Sequence, residues 1–260
     1  MYLAVPAIRD SAARLTPPSE RPALQWALRF AALWFLLLAT FHAFPQIDIA
    51  VARFFFRPFT CLEPQASALA CGHFPNAGEQ ILVRLRKVLF YLPSLSAVFL
   101  LWLLIECLQQ HGATYQRAKT RTISLTLLSF VIGPYILVNL ILKSISGRPR
   151  PNETDLFGGD LGFTAAGTFD GLCDSNCSFV SGEAAGAGWL ACLVILLPAR
   201  LRPVLGPPIL VLSVTMAAMR VSFGGHYLSD VMLGWLLSVT VFAATFATFQ
   251  LLDARRTAKV

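Results

Sequence analysis

Residues 122–151 read TISLTLLSFVIGPYILVNLILKSISGRPRP. No charged side chain occurs from Thr122 to Leu142. A run of about 20 such residues is what an α-helix needs to cross a hydrocarbon layer roughly 30 Å thick. A helix buried in a large soluble core would show a polar stripe, and this one does not. Directly after it come Lys143, Arg148 and Arg150, with Pro149 and Pro151 stiffening the exit. An apolar span closed by a cation cluster is the pattern that decides the fold.

The same reading extends along the chain. Apolar runs occur at residues 24–44, 88–107, 122–142, 184–197, 204–223 and 228–252. Pro134 and the Pro207–Pro208 pair lie inside spans, where neighbouring helices re-satisfy the carbonyls they free. Of 260 residues only 13% are charged, against about 25% in a soluble domain, and mean hydropathy is +0.63. The reading is an all-α polytopic membrane protein, a six-transmembrane-helix bundle. Residues 1–22 form an N-terminal cytoplasmic tail, 23–252 the membrane domain and 253–260 a C-terminal cytoplasmic tail. The first span is too long for a cleavable signal peptide, and no small-residue cleavage site follows it. Residues 47–59 (IDIAVARFFFRPF) combine dense aromatics with Arg53 and Arg57. They read as an interfacial helix lying at headgroup level after the first span, either a plain anchor or a guide for a lipid. Nothing in the sequence points to nucleic acid.

With six spans both termini share one face. That face carries Arg9, Arg14, Arg21, Arg117, Lys119, Arg121, Arg200, Arg202 and the C-terminal Arg255, Arg256 and Lys259. The rule that short basic loops stay inside places it in the cytoplasm. The six cysteines agree. Cys107 and Cys192 lie in spans as small apolar fillers. Cys61 with Cys71, and Cys173 with Cys177, form two local pairs on the opposite face. They read as disulfides of an oxidising compartment, the alternative being four free thiols. The expected location is a bacterial inner membrane, with the polar clusters facing the periplasm.

Three such clusters stand at span edges. The first is Lys143 to Pro151. The second is Phe179-Val-Ser181-Gly182-Glu183, and the third Arg220-Val-Ser-Phe-Gly-Gly-His226-Tyr-Leu-Ser-Asp230. Cations near hydrocarbon are costly unless they are paired or functional. Two guanidinium forks and an ammonium match the oxygens of a phosphoryl group. Lys143 by itself is equally well explained as a snorkelling anchor; Arg220, tied by spacing to His226, is not. Arg148 adds an accessory cation. His226 and Asp230 are four residues apart, one helical turn, so the carboxylate can bond one ring nitrogen and leave the other free to attack. Ser181 and Gly182 open a helix whose N-terminus suits an anion, and Ser181 is also a natural cap. Glu183 is either a first-turn helix stabiliser or a general acid.

The order K-x6-R-P, Ser-Gly, R-x5-H-x3-D, read here as Lys143…Arg150-Pro151, Ser181-Gly182 and Arg220…His226…Asp230, resembles the type 2 phosphatidic acid phosphatase (PAP2) superfamily. The resemblance implies metal-independent, cofactor-free hydrolysis of a phosphomonoester in two steps. His226 would form a phosphohistidine, Asp230 would orient it, and Lys143, Arg150, Arg220, Ser181 and Gly182 would hold the phosphate. Two departures stand out. The family's second motif usually ends in His, and Glu183 occupies that place; Met219 stands where a Ser usually precedes the Arg. Glu183 is therefore expected as the replacement proton donor. The partner implied is a phosphorylated membrane lipid in the bilayer. Lipid A is favoured, with polyprenyl diphosphate, phosphatidylglycerophosphate or a phosphotransferase reaction as alternatives. A catalytically inactive lipid-binding protein and a transporter are the rivals of other classes. The intact His226–Asp230 pair argues against the first, and charges gathered at one interface against the second.

Overall fold

The computed structural model describes residues 22–60 and 70–257. Cys61 and most of the expected N-terminal tail lie outside the described residues. The chain is helical, as expected. Helix α1 (Pro22–Ala43) is followed by α2 (Gln46–Phe55), strand β1 (Arg57–Pro58), strand β2 (Gly72–His73) and the single turn α3 (Pro75–Gly78). Then come α4 (Gln80–Gln109), α5 (Arg117–Phe130) and α6 (Lys143–Ile145). The last three helices are α7 (Gly182–Cys192), α8 (Arg202–Ser222) and α9 (Leu228–Thr257). A π-helical stretch, Val131–Leu142, joins α5 to α6. Five rods, Pro22–Ala43, Gln80–Gln109, Arg117–Ile145, Arg202–Ser222 and Leu228–Arg255, are long and apolar enough to span a membrane, and Gly182–Leu196 is a shorter sixth. The molecule is thus an all-α polytopic membrane protein.

The short sixth rod is the centre of the bundle. Residues 184–192 of α7 are all buried, and most are Ala or Gly. Small residues let helix backbones approach where no hydrophobic force acts between helices in lipid. A side chain at Gly188 would collide with the Trp235 carbonyl of α9, and a Cβ at Gly234 would stand 2.6 Å from the Ser181 carbonyl oxygen. The polar atoms of the bundle are used locally. Trp189 Nε1 donates to the Thr126 carbonyl (3.0 Å), and Trp34 Nε1 of α1 donates to the Leu233 carbonyl (3.0 Å).

Several boundaries differ from the sequence reading. The expected interfacial helix stops at Phe55, because Pro58 drives the preceding backbone out of the helical region. Residues 57–58 instead pair antiparallel with 72–73. The face of α2 that carries Asp48 and Ala52 is buried, while Phe54 is 73% exposed. Helix α9 runs on to Thr257, into the expected C-terminal tail, where Arg121 donates to Asp253 (3.0 Å). In the middle of 117–145, Pro134 has no N–H to give. The π-helical turns carry the rod past it, and Asn139 Nδ2 donates to the Pro134 carbonyl (2.7 Å).

The long connection between α6 and α7 folds over the ends of the bundle. Its Phe157 joins Phe56, Phe74 and Tyr227 in one buried cluster. Ser178 N–H donates to the Arg148 carbonyl (2.7 Å), and Asn152 N–H to that of Gly224 (3.1 Å). The Cys173–Cys177 disulfide lies in this connection. Cys71 is disulfide-bonded, its expected partner Cys61 lying outside the described residues; Cys107 and Cys192 are free and buried, as read from the sequence.

Candidate active site

Four chain segments end at one level of the bundle: the start of α4, the α6 terminus, the start of α7 and the end of α8. Between them lies a cavity of about 560 Å³. Its polar wall includes Arg86, Asn139, Lys143, Arg150, Asn176, Gly182, Glu183, Arg220 and His226; Phe90, Phe130, Tyr135 and Met216 are among its apolar lining. Residues from four stretches of sequence therefore meet around one space.

His226 sits in the turn between α8 and α9, 2% exposed. The αL backbone of Gly224 (φ +65°) starts that turn, and its open α-carbon leaves room for the Phe74 ring. Gly225 lies under the Arg220 guanidinium, where a Cβ would stand 2.6 Å from Nη2. The ring's Nδ1 is 2.8 Å from the Ser178 carbonyl oxygen. A carbonyl only accepts, so Nδ1 carries the proton and Nε2 keeps its lone pair. Burial pushes the imidazole down to about 4, so the ring is neutral at physiological pH.

Asp230 acts less directly than its spacing suggests. Its Oδ2 stands 3.9 Å from His226 Nδ1, beyond hydrogen-bond range. Oδ2 instead accepts from Ser178 Oγ (2.5 Å) and Tyr227 N–H (3.0 Å). The expected direct pair is thus replaced by a relay through Ser178. His226 precedes α9, so helical register does not hold the two residues together, and Ser178 from the connection over the site takes up both of them.

Arg148 is not at the cavity wall. It is fully buried, and all its nitrogens are engaged. Nε donates to the Thr164 carbonyl (2.9 Å) and Nη1 to Ser229 Oγ (2.8 Å) and Asp230 Oδ1 (2.6 Å). Nη2 donates to Asp48 Oδ2 (2.8 Å). Its guanidinium lies over the Tyr227 ring at 4.5 Å. Asp48 also accepts from Ser229 N–H (2.8 Å) and Ser229 Oγ (2.5 Å). Burial raises the Asp48 carboxyl above its usual range, opposed by the attraction of Arg148. A buried carboxylate–guanidinium–carboxylate chain thus runs from α2 to Asp230. Arg148, read as an accessory phosphate cation, is a structural ion instead, because it is fully buried away from the cavity and each of its nitrogens already donates within the protein.

Lys143, Arg150 and Arg220 do face the cavity. Arg150 Nε and Arg220 Nε are buried without a hydrogen-bond partner among the described residues, though Arg220 Nε lies 3.3 Å from Glu183 Oε1. Buried unpaired donors beside an open cavity are what an anion would satisfy. Gly182 reaches the cavity and Ser181 does not: Ser181 is fully buried and caps α7, accepting from Ala184 N–H (3.3 Å). A side chain at position 182 would meet the Asn139 amide at 2.5 Å, so only glycine leaves the wall open.

Glu183 departs from expectation. Arg86 grips it with both forks: Nε donates to Oε2 (3.0 Å) and Nη2 to Oε1. Arg220 approaches the same Oε1. Both carboxylate oxygens accept from guanidinium groups, so the residue has no proton to give in this arrangement.

Arg86, Asp48, Asn139, Asn176 and Ser178 were not singled out in the sequence. Asp48 carries a signal in hindsight, being the acidic residue in the apolar-aromatic run QIDIAVARFF. Arg86 was visible only as one of several cations beside a span. Ser178 and the Asn residues carry none. Among the described residues there is no group of three His, Cys, Asp or Glu able to hold a metal.

The helical bundle, together with motifs gathered at one end of it, defines a class, and comparison with known proteins names it. The PAP2 superfamily model matches residues 123–253, and the chain belongs to that superfamily. A lipid A 4'-phosphatase of Rhizobium etli is 51% identical over 82% of this chain and 83% of its own length. A protein of the same name from Rhizobium leguminosarum is 49% identical over 83% and 92%. The crystal structure of a PAP2-type phosphatidylglycerolphosphate phosphatase from Bacillus subtilis superposes with a TM-score of 0.52 at 20% identity, covering 86% of this chain and 96% of that one, which shows a shared fold.

Proposed function

We propose that this chain is a lipid A 4'-phosphatase working through a phosphohistidine. The observation that carries the chemistry is the convergence of Lys143, Arg150 and Arg220 on the cavity that holds a neutral His226. The observation that carries the substrate is about 50% identity, over most of the chain, to two lipid A 4'-phosphatases.

In this proposal the three cations and the N–H groups at the start of α7 hold the non-bridging phosphate oxygens and stabilise charge in the transition state. His226 Nε2 attacks phosphorus, and the ester P–O bond breaks. The departing sugar oxygen takes its proton from water at the cavity mouth. The phosphoimidazole is stabilised through Nδ1–H on the Ser178 carbonyl, with Ser178 itself braced by Asp230. Water then attacks the phosphoryl group, the P–N bond breaks and inorganic phosphate leaves. Glu183 serves as an anchor that sets Arg86 and Arg220 side by side rather than as the acid. The apolar wall of Phe90, Phe130 and Met216 suits the lipid part of the substrate. The proposal places the site on the periplasmic face of an inner membrane with cytoplasmic termini, supported by the disulfide in the loop over the site.

The test is purified protein with bis-phosphorylated lipid A, phosphatidylglycerophosphate and polyprenyl diphosphate, each with EDTA present. Loss of the 4'-phosphate by mass spectrometry, abolished in His226→Ala, is the expected result. Hydrolysis of the other lipids but not lipid A would overturn the substrate, and an undiminished rate in His226→Ala would overturn the nucleophile.

A further inference from the structure

The tight loop closed by the Cys173–Cys177 disulfide (sequence separation 4, Cα–Cα 5.8 Å) carries Asn176 at the rim of the cavity. Asn176 holds φ at +50°, a left-handed conformation that asparagine tolerates far better than most side chains. Both of its oxygens are in use. The backbone carbonyl accepts from Arg150 Nη2 (2.8 Å), and the side-chain Oδ1 accepts from Lys143 Nζ (3.2 Å). The two cations come from either side of the Ser146–Pro149 turn. Their like charges would spread apart if nothing held them.

We propose that Asn176 is a positioning residue, which aims Lys143 and Arg150 at the phosphate through two neutral oxygens of one left-handed residue braced by the disulfide. Neutrality is the essential property. A carboxylate at this place would tie up Lys143 as an ion pair and repel the incoming dianion. An amide oxygen orients the ammonium and leaves its charge unspent. The left-handed backbone matters separately, since it turns the 176 carbonyl toward Arg150. The idea rests on the phosphatase reading above only in taking phosphate as the ligand.

Three variants separate these parts. Asn176→Gly keeps the left-handed backbone and loses only Oδ1. Asn176→Ala loses Oδ1 and strains the backbone. Asn176→Asp keeps the acceptor and adds a charge. The primary readout is binding of [32P]phosphate by equilibrium dialysis, with KM and kcat on lipid substrate and melting temperature alongside. Asn176→Gly should weaken phosphate binding and raise KM about three- to tenfold, the usual scale for one lost hydrogen bond, with kcat within about twofold. Asn176→Ala should lose more than the glycine variant. Asn176→Asp should lose at least as much as alanine while melting like the wild type. Unchanged phosphate affinity in both Asn176→Gly and Asn176→Asp would overturn the assignment. So would losses that follow melting temperature alone, or wild-type protein that binds no phosphate. Wild-type protein that binds phosphate but leaves lipid A intact would overturn the substrate and spare the role of Asn176.

Discussion

Arg148 and Arg150 are two residues apart, and replacing each by Met should produce opposite failures. Arg148 is fully buried and makes four hydrogen bonds, two of them to Asp48 and Asp230. Methionine there leaves two buried carboxylates without a cation between them. Removing one partner of a buried ion pair costs about 3–5 kcal/mol. At roughly 2–4 °C per kcal/mol for a chain of this size, the melting temperature should fall by roughly 6–20 °C. Among the described residues, the Arg150 side chain donates to the Asn176 carbonyl at the cavity rim alone. Its loss should move the melting temperature by only a few degrees. It should, however, remove charge-assisted bonds to phosphate worth about 1.5–3 kcal/mol, or roughly 10- to 150-fold in kcat/KM. The assay pairs tryptophan-fluorescence melting in detergent with phosphate release from lipid substrate. Adding Asp48→Asn to Arg148→Met should recover part of the lost stability, since one of the stranded carboxylates becomes neutral. An Arg148→Met protein that melts within 2 °C of wild type would refute the account of a buried ionic chain. An Arg150→Met protein with full activity would refute the phosphate grip.

Two further outcomes follow from the site. Glu183→Gln should lower turnover of a lipid phosphate and of an activated aryl phosphate by similar factors, because it loosens Arg86 and Arg220; a loss confined to the lipid, of about 10²-fold or more, would identify Glu183 as the general acid after all. The His226 ring, held near 4 by burial, should stay neutral from pH 5 to pH 8 in the ligand-free protein. Since the unfolded chain takes up that proton near pH 6.5, the stability it contributes is complete above 6.5 and is lost as pH falls toward 4. NMR titration of labelled His226 in detergent checks this, and an inflection near 6.5 would refute it.

Much of the architecture was legible because the constraint is one-dimensional. A membrane helix must satisfy its own backbone, so length and apolarity mark it whatever it packs against. That is why all six rods were found, including the short one beginning at Gly182. The same holds for the cation clusters. Charge is expensive at the edge of hydrocarbon, so Lys143, Arg150 and Arg220 stood out before any fold was known. Spacing within one segment tied Arg220 to His226 and Asp230.

What the sequence determined, then, was the class of fold, the phosphatase family and a set of cluster residues, of which Lys143, Arg150, Gly182, Glu183, Arg220 and His226 line the cavity. Tertiary structure decided which polar groups are partners. Arg148 and Arg150 are alike in sequence, yet one is consumed by Asp48 of α2 and Asp230 of α9 while the other faces the cavity. Glu183 reads as a proton donor until α4 brings Arg86 against it. Asp230 reads as the partner of His226 until the loop over the site inserts Ser178 between them. In each case the deciding contact joins residues roughly 50 to 100 positions apart, and hydrogen bonding depends on tenths of an ångström that only the packed chain sets.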